Sequence, residues 1–284
     1  MSQVIGPTKQ LFAYFGGKQQ VADRLVPMIP PHDVYVEPFA GGLAVFFRKV
    51  NAKLNIVNDY NSLIANLYSV LAADPSMFQE FVHRVKWLVQ SKDIYKLYEA
   101  WYKDFMKNEK NKEQWFKIPN IQAAVIYYYY IQNSFNQQVN TGLSDKTSNW
   151  NTALKDRLWE MRKKFDKVIV ENVDFAKLID KYNKRENVFW FFDPPYVITG
   201  KVPYYQFNFG EEQHQLLHDK CNEIHEAGGK VMITYDDFPI IRRLYTEEHW
   251  NIVDFPMTYS SNAKKVNELV IINYKINVQE GLGF

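Results

Sequence analysis

V188-F-W-F-F-D-P-P-Y196 runs five apolar residues into a carboxylate and then stops on two prolines. Nothing in Val188–Phe192 is polar, which is how a strand buried on both faces of a sheet reads. Pro194 and Pro195 carry no backbone N–H, so the hydrogen-bond ladder must end with them. Asp193 is thereby set at the carboxyl edge of a central strand, the edge at which open α/β sheets bind their ligands. An isolated D-P-P is better described as a strand followed by a stiff turn, with Asp193 as a cap. What the chain brings to the same edge decides between the two.

Working outward, Val34–Glu37, Leu54–Val57, Val168–Val170, Val231–Thr234 and Val266–Tyr274 read as further strands. Helical patterns fall at 41–49, 60–72, 175–182 and 211–227. The last places Leu216, Leu217, Cys221 and Ile224 on one face and Gly228 at its C-cap. Alternating strands and helices predict an α/β fold with a largely parallel sheet. Residues 76–167 interrupt this rhythm. They are long, helical and aromatic, and they end in a polar, turn-rich stretch. The expected organisation is one domain from residues 1–75 and 168–284, with 76–167 inserted.

At 284 residues, with 46% hydrophobic and 23% charged residues, the chain is long enough for a full core. Cys221 is its only cysteine, which excludes internal disulfides and disfavours thiolate zinc sites. The first residues lack a signal-peptide layout, and no apolar stretch has membrane-spanning length, so a reducing cytoplasm is expected. Residues 76–167 hold 16 Lys/Arg against 10 Asp/Glu, a balance of +6, and the rest hold 18 against 22, a balance of −4. Such an asymmetry suits either a polyanion-facing segment or a solvated helical surface.

Four more stretches gather at strand ends or turns. In V34-Y-V-E-P-F-A-G-G-L-A-V-F-F47, Glu37 closes a strand and Gly41 and Gly42 open a helix, where backbone can approach a ligand. In I-V-N-D-Y-N, Asp59 sits just past a strand, where an acid suits ribose hydroxyls or caps a helix. Asp174 and Phe175 follow the next strand, placed for a purine amine and a purine face, or for a cap and a core aromatic. F12-A-Y-F-G-G-K18 sets Lys18 in a tight turn. His214 and His218 lie four apart on a helix with no third ligand evident, an exposed pair rather than a metal site. Tyr127–Tyr130 are expected mainly to pack.

F-A-Y-F-G-G-K, E-P-F-A-G-G, N-D, D-F and D-P-P-Y, in that order, resemble the Dam-type (D12 class) adenine-N6 DNA methyltransferases. The likeness extends to K-V-P-Y-Y-Q-F-N-F, G-G-K-V-M-I-T-Y-D-D and N-E-L-V-I-I-N-Y. It implies a Rossmann-like methyltransferase fold, S-adenosylmethionine as methyl donor with no metal, and duplex DNA as substrate. A restriction–modification setting with a cognate endonuclease is among the contexts it allows. Tyr14 and Lys18 would contact the donor from the N-terminal turn, and Glu37, Phe39 and Gly41 would surround its methionine part. Asp59 would bind the ribose, and Asp174 with Phe175 the adenine.

Asp193, Pro194, Pro195 and Tyr196 would then be catalytic, with Asp193 also at the donor. An adenine amino nitrogen is a poor nucleophile, because its lone pair is delocalised into the ring. The Asp193 carboxylate and the Pro194 carbonyl could each accept one N–H, Pro195 would stiffen the turn, and Tyr196 would face a base swung out of the duplex. Residues 132–151, Q-N-S-F-N-Q-Q-V-N-T-G-L-S-D-K-T-S-N-W-N, carry neither the arginine nor the proline of GATC-reading members. They resemble another branch, with Asn133, Asn136, Gln137 and Asn140 the candidate base readers.

Overall fold

A run of five large apolar side chains is satisfied only between two layers of other apolar groups. The computed structural model of the protein places Val188–Phe192 there, with all five residues buried. The structure describes residues 10–12, 17–108, 116–145, 150, 152–196, 209–246, 249–258 and 265–276. Among these, the strands are β1 (Val34–Glu37), β2 (Leu54–Asn58), β3 (Val168–Glu171), β4 (Val188–Phe192), β5 (Lys230–Asp236), β6 (Asn251–Thr258) and β7 (Lys265–Ile272). The helices are α1 (Ala22–Leu25), α2 (Ala44–Arg48), α3 (Ser62–Ala72), α4 (Pro75–Trp87), α5 (Lys92–Asn108), α6 (Ile121–Asn133), α7 (Thr152–Arg162), α8 (Phe175–Tyr182), α9 (Glu211–Glu226) and α10 (Pro239–Leu244).

The strand order is β3-β2-β1-β4-β5-β7-β6. β4 runs parallel to β1 and β5, with Tyr35 opposite Phe189 and Phe192 opposite Ile233. β7 turns antiparallel between β5 and β6. The α/β pattern expected from the sequence is present. β6 was not expected: its run contains Pro256, which a sheet tolerates at an edge, and β6 is the edge strand. The helix expected over 41–49 is only Ala44–Arg48, because Gly41 (φ 44°) and Leu43 (φ 55°) hold left-handed conformations that a helix cannot include.

Contacts divide the chain into two compact units. One comprises Met1–Pro27, Ala40–Asn51 and Val57–Asn172, the other Met28–Phe39, Ala52–Ile56 and Val173–Phe284. In the first, α6 is buried all round from Ala123 to Asn133, and Tyr127, Tyr128, Tyr129 and Tyr130 are all core residues. In the second, β4 lies in a cluster with Leu178, Ile179, Leu217, Cys221, Ile224 and Ile233. Each fully buried side chain of this size contributes about 1.5–3 kcal/mol.

α9 departs from expectation. Leu216 is 41% exposed, whereas His214 and His218 are 1% and 6% exposed. The buried stripe follows 214, 217, 218, 221 and 224, the i, i+3, i+4, i+7 spacing of one helical face, and it takes both imidazoles inward. No helix among the described residues is long and apolar enough to cross a membrane.

Candidate active site

The glycine loop after β1 is held by backbone and carboxylate together. The Ala40 N–H donates to the Asn58 carbonyl (2.8 Å), and the Leu43 N–H to the Ala40 carbonyl (2.7 Å). The Gly41 N–H donates to Asp59 Oδ2 (2.9 Å), while Asp59 Oδ1 accepts from the Asn61 N–H (2.8 Å). The Tyr68 hydroxyl donates to the Gly41 carbonyl. A β-carbon on Gly42 would stand 3.0 Å from the Phe12 carbonyl oxygen, so glycine is the residue that fits there.

Asp59 therefore braces the loop and is not the cap of the helix that follows. Asn61 caps α3, accepting from the N–H groups of Leu63 (2.9 Å) and Ile64 (3.4 Å). Asn172 adds a third fix, its amide donating to the Asp59 carbonyl (2.7 Å). Lys18 is buried at the start of a single 3₁₀ turn in the same unit. Tyr14 lies outside the described residues.

In the other unit, Asp193 leaves the end of β4 and accepts from the Thr234 hydroxyl at Oδ1 (2.9 Å). That hydroxyl also lies 3.3 Å from the Phe192 carbonyl. Its single proton favours the charged, nearer acceptor. Pro194 is buried and Tyr196 is 7% exposed. The Tyr196 hydroxyl donates to Glu268 Oε1 (3.3 Å), and Glu268 is itself buried in β7. Beside it, the Tyr235 hydroxyl meets His214 Nδ1 at 2.9 Å. Burial pushes the His214 imidazole down to about 4, so it is neutral near pH 7. Burial also raises the Tyr235 phenol well above its ordinary range, so the phenol keeps its proton.

Glu37, at the end of β1, is buried and accepts from the Tyr35 hydroxyl at Oε2 (2.6 Å). Burial, reinforced by that carboxylate, holds the Tyr35 phenol well above 10. Phe39 tilts over Phe175 with centroids 5.5 Å apart, and Phe209 meets both rings at 5.7 and 5.8 Å. Asp174 caps α8, its Oδ1 accepting from the Ala176 N–H (2.9 Å).

Residues 14–257 match the model of the D12 class N6 adenine-specific DNA methyltransferases. The chain belongs to this family. The methyltransferase is similar to type II methyltransferase M1.LlaDCHI of Lactococcus lactis subsp. cremoris, 24% identical over 91% of this chain and 93% of the relative. It is similar also to M.CviBI of Paramecium bursaria Chlorella virus NC1A, 27% identical over 84% and 86% of the two chains. M.MjaIII of Methanocaldococcus jannaschii is 25% identical over 94% and 99%. The methyltransferase thus acts on the N6 amino group of adenine in DNA, and its seven-stranded α/β sheet fits the fold of S-adenosylmethionine-dependent enzymes. Among the described residues, no group of three or more His, Cys, Asp or Glu side chains is placed to hold a metal.

The four candidate base readers do not share one environment. Asn133 is fully buried at the end of α6, its amide nitrogen donating to the Tyr129 carbonyl (2.8 Å). Its side chain is turned into the protein, unlike those of the exposed candidates. Gln137 turns its amide nitrogen inward onto Gln132 Oε1 (2.7 Å). Asn136 and Asn140 are exposed, both with positive φ, at 52° and 62°. The Asn140 N–H donates to the Tyr130 hydroxyl (2.9 Å). The structure also sets residues that the sequence reading does not single out as site residues against the candidates or their neighbours: Thr234 at Asp193, Glu268 at Tyr196, His214 at Tyr235 and Asn61 at Asp59. For Glu268 the sequence carries a signal, an acid at the head of the apolar run L-V-I-I.

Proposed function

We propose that the enzyme transfers a methyl group from S-adenosylmethionine to N6 of an adenine swung out of duplex DNA, with Asp193 and the Pro194 carbonyl accepting the two amino N–H groups. The observation that carries this reading is the seat of Asp193. Its carboxylate follows a fully buried strand and is fixed by a buried hydroxyl, and the next two residues lack N–H groups. A group so placed is ready for a ligand without reorganising at the moment of reaction. The donor supplies an electrophilic methyl on a sulfonium. Asp193 would stabilise the positive charge that develops on N6 as the C–N bond forms and the S–CH3 bond breaks, its electron pair leaving with sulfur as a neutral thioether, and the nitrogen would then shed one proton to solvent. Tyr196, held through Glu268, faces the extruded base.

The donor set fits the group. Carboxylates at Glu37, Asp59, Asp174 and Asp193 suit a ligand that carries an ammonium, a sulfonium, two ribose hydroxyls and an exocyclic amine. Asp59, tied to the Gly41 N–H, takes the ribose. Phe39 and Phe175 offer rings to the donor adenine, and Asp174 its amine. Tyr14 and Lys18 complete the donor contacts by the family resemblance.

Residues 76–167 are the inserted recognition segment in this reading, with lysines and arginines on phosphates and with Asn136 and Asn140 at base edges. Relatives named type II methyltransferases support a restriction–modification setting with a cognate endonuclease. Incubation with methyl-labelled donor and either duplex DNA or RNA tests the substrate. Label recovered as N6-methyldeoxyadenosine is expected, and label in RNA alone would refute the assignment.

A further inference from the structure

Residues 10–12 enter the N-terminal motif and press on the glycine loop, with the Phe12 carbonyl oxygen and Gln10 Oε1 each 3.0 Å from where a Gly42 β-carbon would be. The carbonyl between them, that of Leu11, accepts from Gln132 Nε2 at 2.7 Å. Gln132 is fully buried in the last turn of α6. Its other amide atom, Oε1, accepts from Gln137 Nε2 at 2.7 Å. Gln137 (φ 54°) belongs to the turn that exposes Asn136 and Asn140. That turn is closed by the Phe135 N–H on the Gly142 carbonyl (2.8 Å) and the Asn140 N–H on the Tyr130 hydroxyl (2.9 Å).

One buried amide thus holds the backbone beside the glycine loop with its donor and the exposed turn with its acceptor. A carboxylate could only accept, and an ammonium could only donate. If either neighbour shifts alone, a buried polar group loses its partner. Non-glycine residues in left-handed conformations also need surrounding bonds to keep them there, and the Gln132 contact is one of those at Gln137, beside its N–H on the Ser134 carbonyl (2.9 Å).

We infer that Gln132 is a positioning residue that couples donor binding to sequence reading, holding the turn of Asn136 and Asn140 in register with residues 10–12. The inference rests on the proposed roles of the glycine loop and of residues 76–167. Coupling is reciprocal, so cognate duplex raises donor affinity by the factor by which donor raises duplex affinity.

The test measures the donor dissociation constant by calorimetry, without duplex and with a duplex carrying the wild-type methylation motif, alongside thermal melting and a genome-wide methylation map. Gln132→Met keeps the side-chain length and removes both bonds. Gln137→Ala removes the bond from Gln132 to the turn and leaves the one to Leu11. We expect the with/without-duplex affinity ratio to fall by about fivefold per lost bond in each variant, with the motif relaxed at one position. A lower melting temperature with the wild-type ratio and motif would make Gln132 a mere core residue and overturn the inference, as would a wild-type ratio of one. Should Gln132→Met fail to fold, an unchanged ratio and motif in Gln137→Ala overturns it. If the motif survives Asn136→Ala and Asn140→Ala, the choice of base readers fails, and the affinity ratio alone then decides the role of Gln132.

Discussion

Thr234→Val removes one hydroxyl from beside the reacting carboxylate and little else. Valine keeps the branched shape that β5 packs, and its strand propensity is as good. The lost bond is the 2.9 Å contact to Asp193 Oδ1. A bond to a charged acceptor contributes about 1.5–3 kcal/mol, and Asp193 is partly exposed, so water recovers some of it. A net loss of about 1–2 kcal/mol from the transition state corresponds to a roughly 5- to 30-fold slower methyl-transfer step. Single-turnover transfer from labelled donor to duplex reads that step directly, and donor affinity by calorimetry should stay within about twofold. The same rate in Thr234→Val and wild type would show that Asp193 needs no support from β5. An equal loss of donor binding and of rate would place Thr234 at the donor and not behind the carboxylate.

Asp59→Ala should weaken donor binding by about 1.5–3 kcal/mol for each charge-assisted bond lost, while α3 stays intact, because Asn61 caps it; unchanged calorimetric affinity would refute the donor role. His214 is lowered from 6.5 to about 4, so the unfolded chain binds the extra proton first. Its contribution to stability is fully present above pH 6.5 and is lost as pH falls toward 4, by roughly 2 kcal/mol at pH 5. Urea unfolding at pH 7 and 5 should show that loss, and His214→Gln should flatten it. Tyr196→Ala should impair capture of the extruded base more than donor binding, and a 2-aminopurine signal at the target position that rises as in wild type would contradict this.

The central strand could be read directly because Val188–Phe192 contains no competing polar signal and the prolines mark its end. The glycine loop was located, but its helix was drawn too early. Leu43 adopts φ 55°, a conformation leucine does not advertise, and only the tertiary grip of Asp59 and Tyr68 on Gly41 explains the loop. On α9 the hydrophobicity of Leu216 outweighed the spacing of His214 and His218, yet burial follows the spacing once each imidazole has a polar partner: Tyr235 for His214, Asp219 and Asn222 for His218. Asn133 and Gln137 look like Asn136 and Asn140 in sequence. What separates them is the direction of a helix end and a turn, fixed by bonds to Tyr129, Gln132 and Tyr130.

The most direct test of the account is methyl transfer by Asp193→Ala on a duplex containing the wild-type motif, followed by nucleoside analysis. Wild type should yield N6-methyldeoxyadenosine. The variant, folded and supplied with saturating donor, should yield none above background. Near-normal N6-methyldeoxyadenosine from Asp193→Ala would contradict the claim that this carboxylate, at the end of the buried strand, prepares the amine for attack.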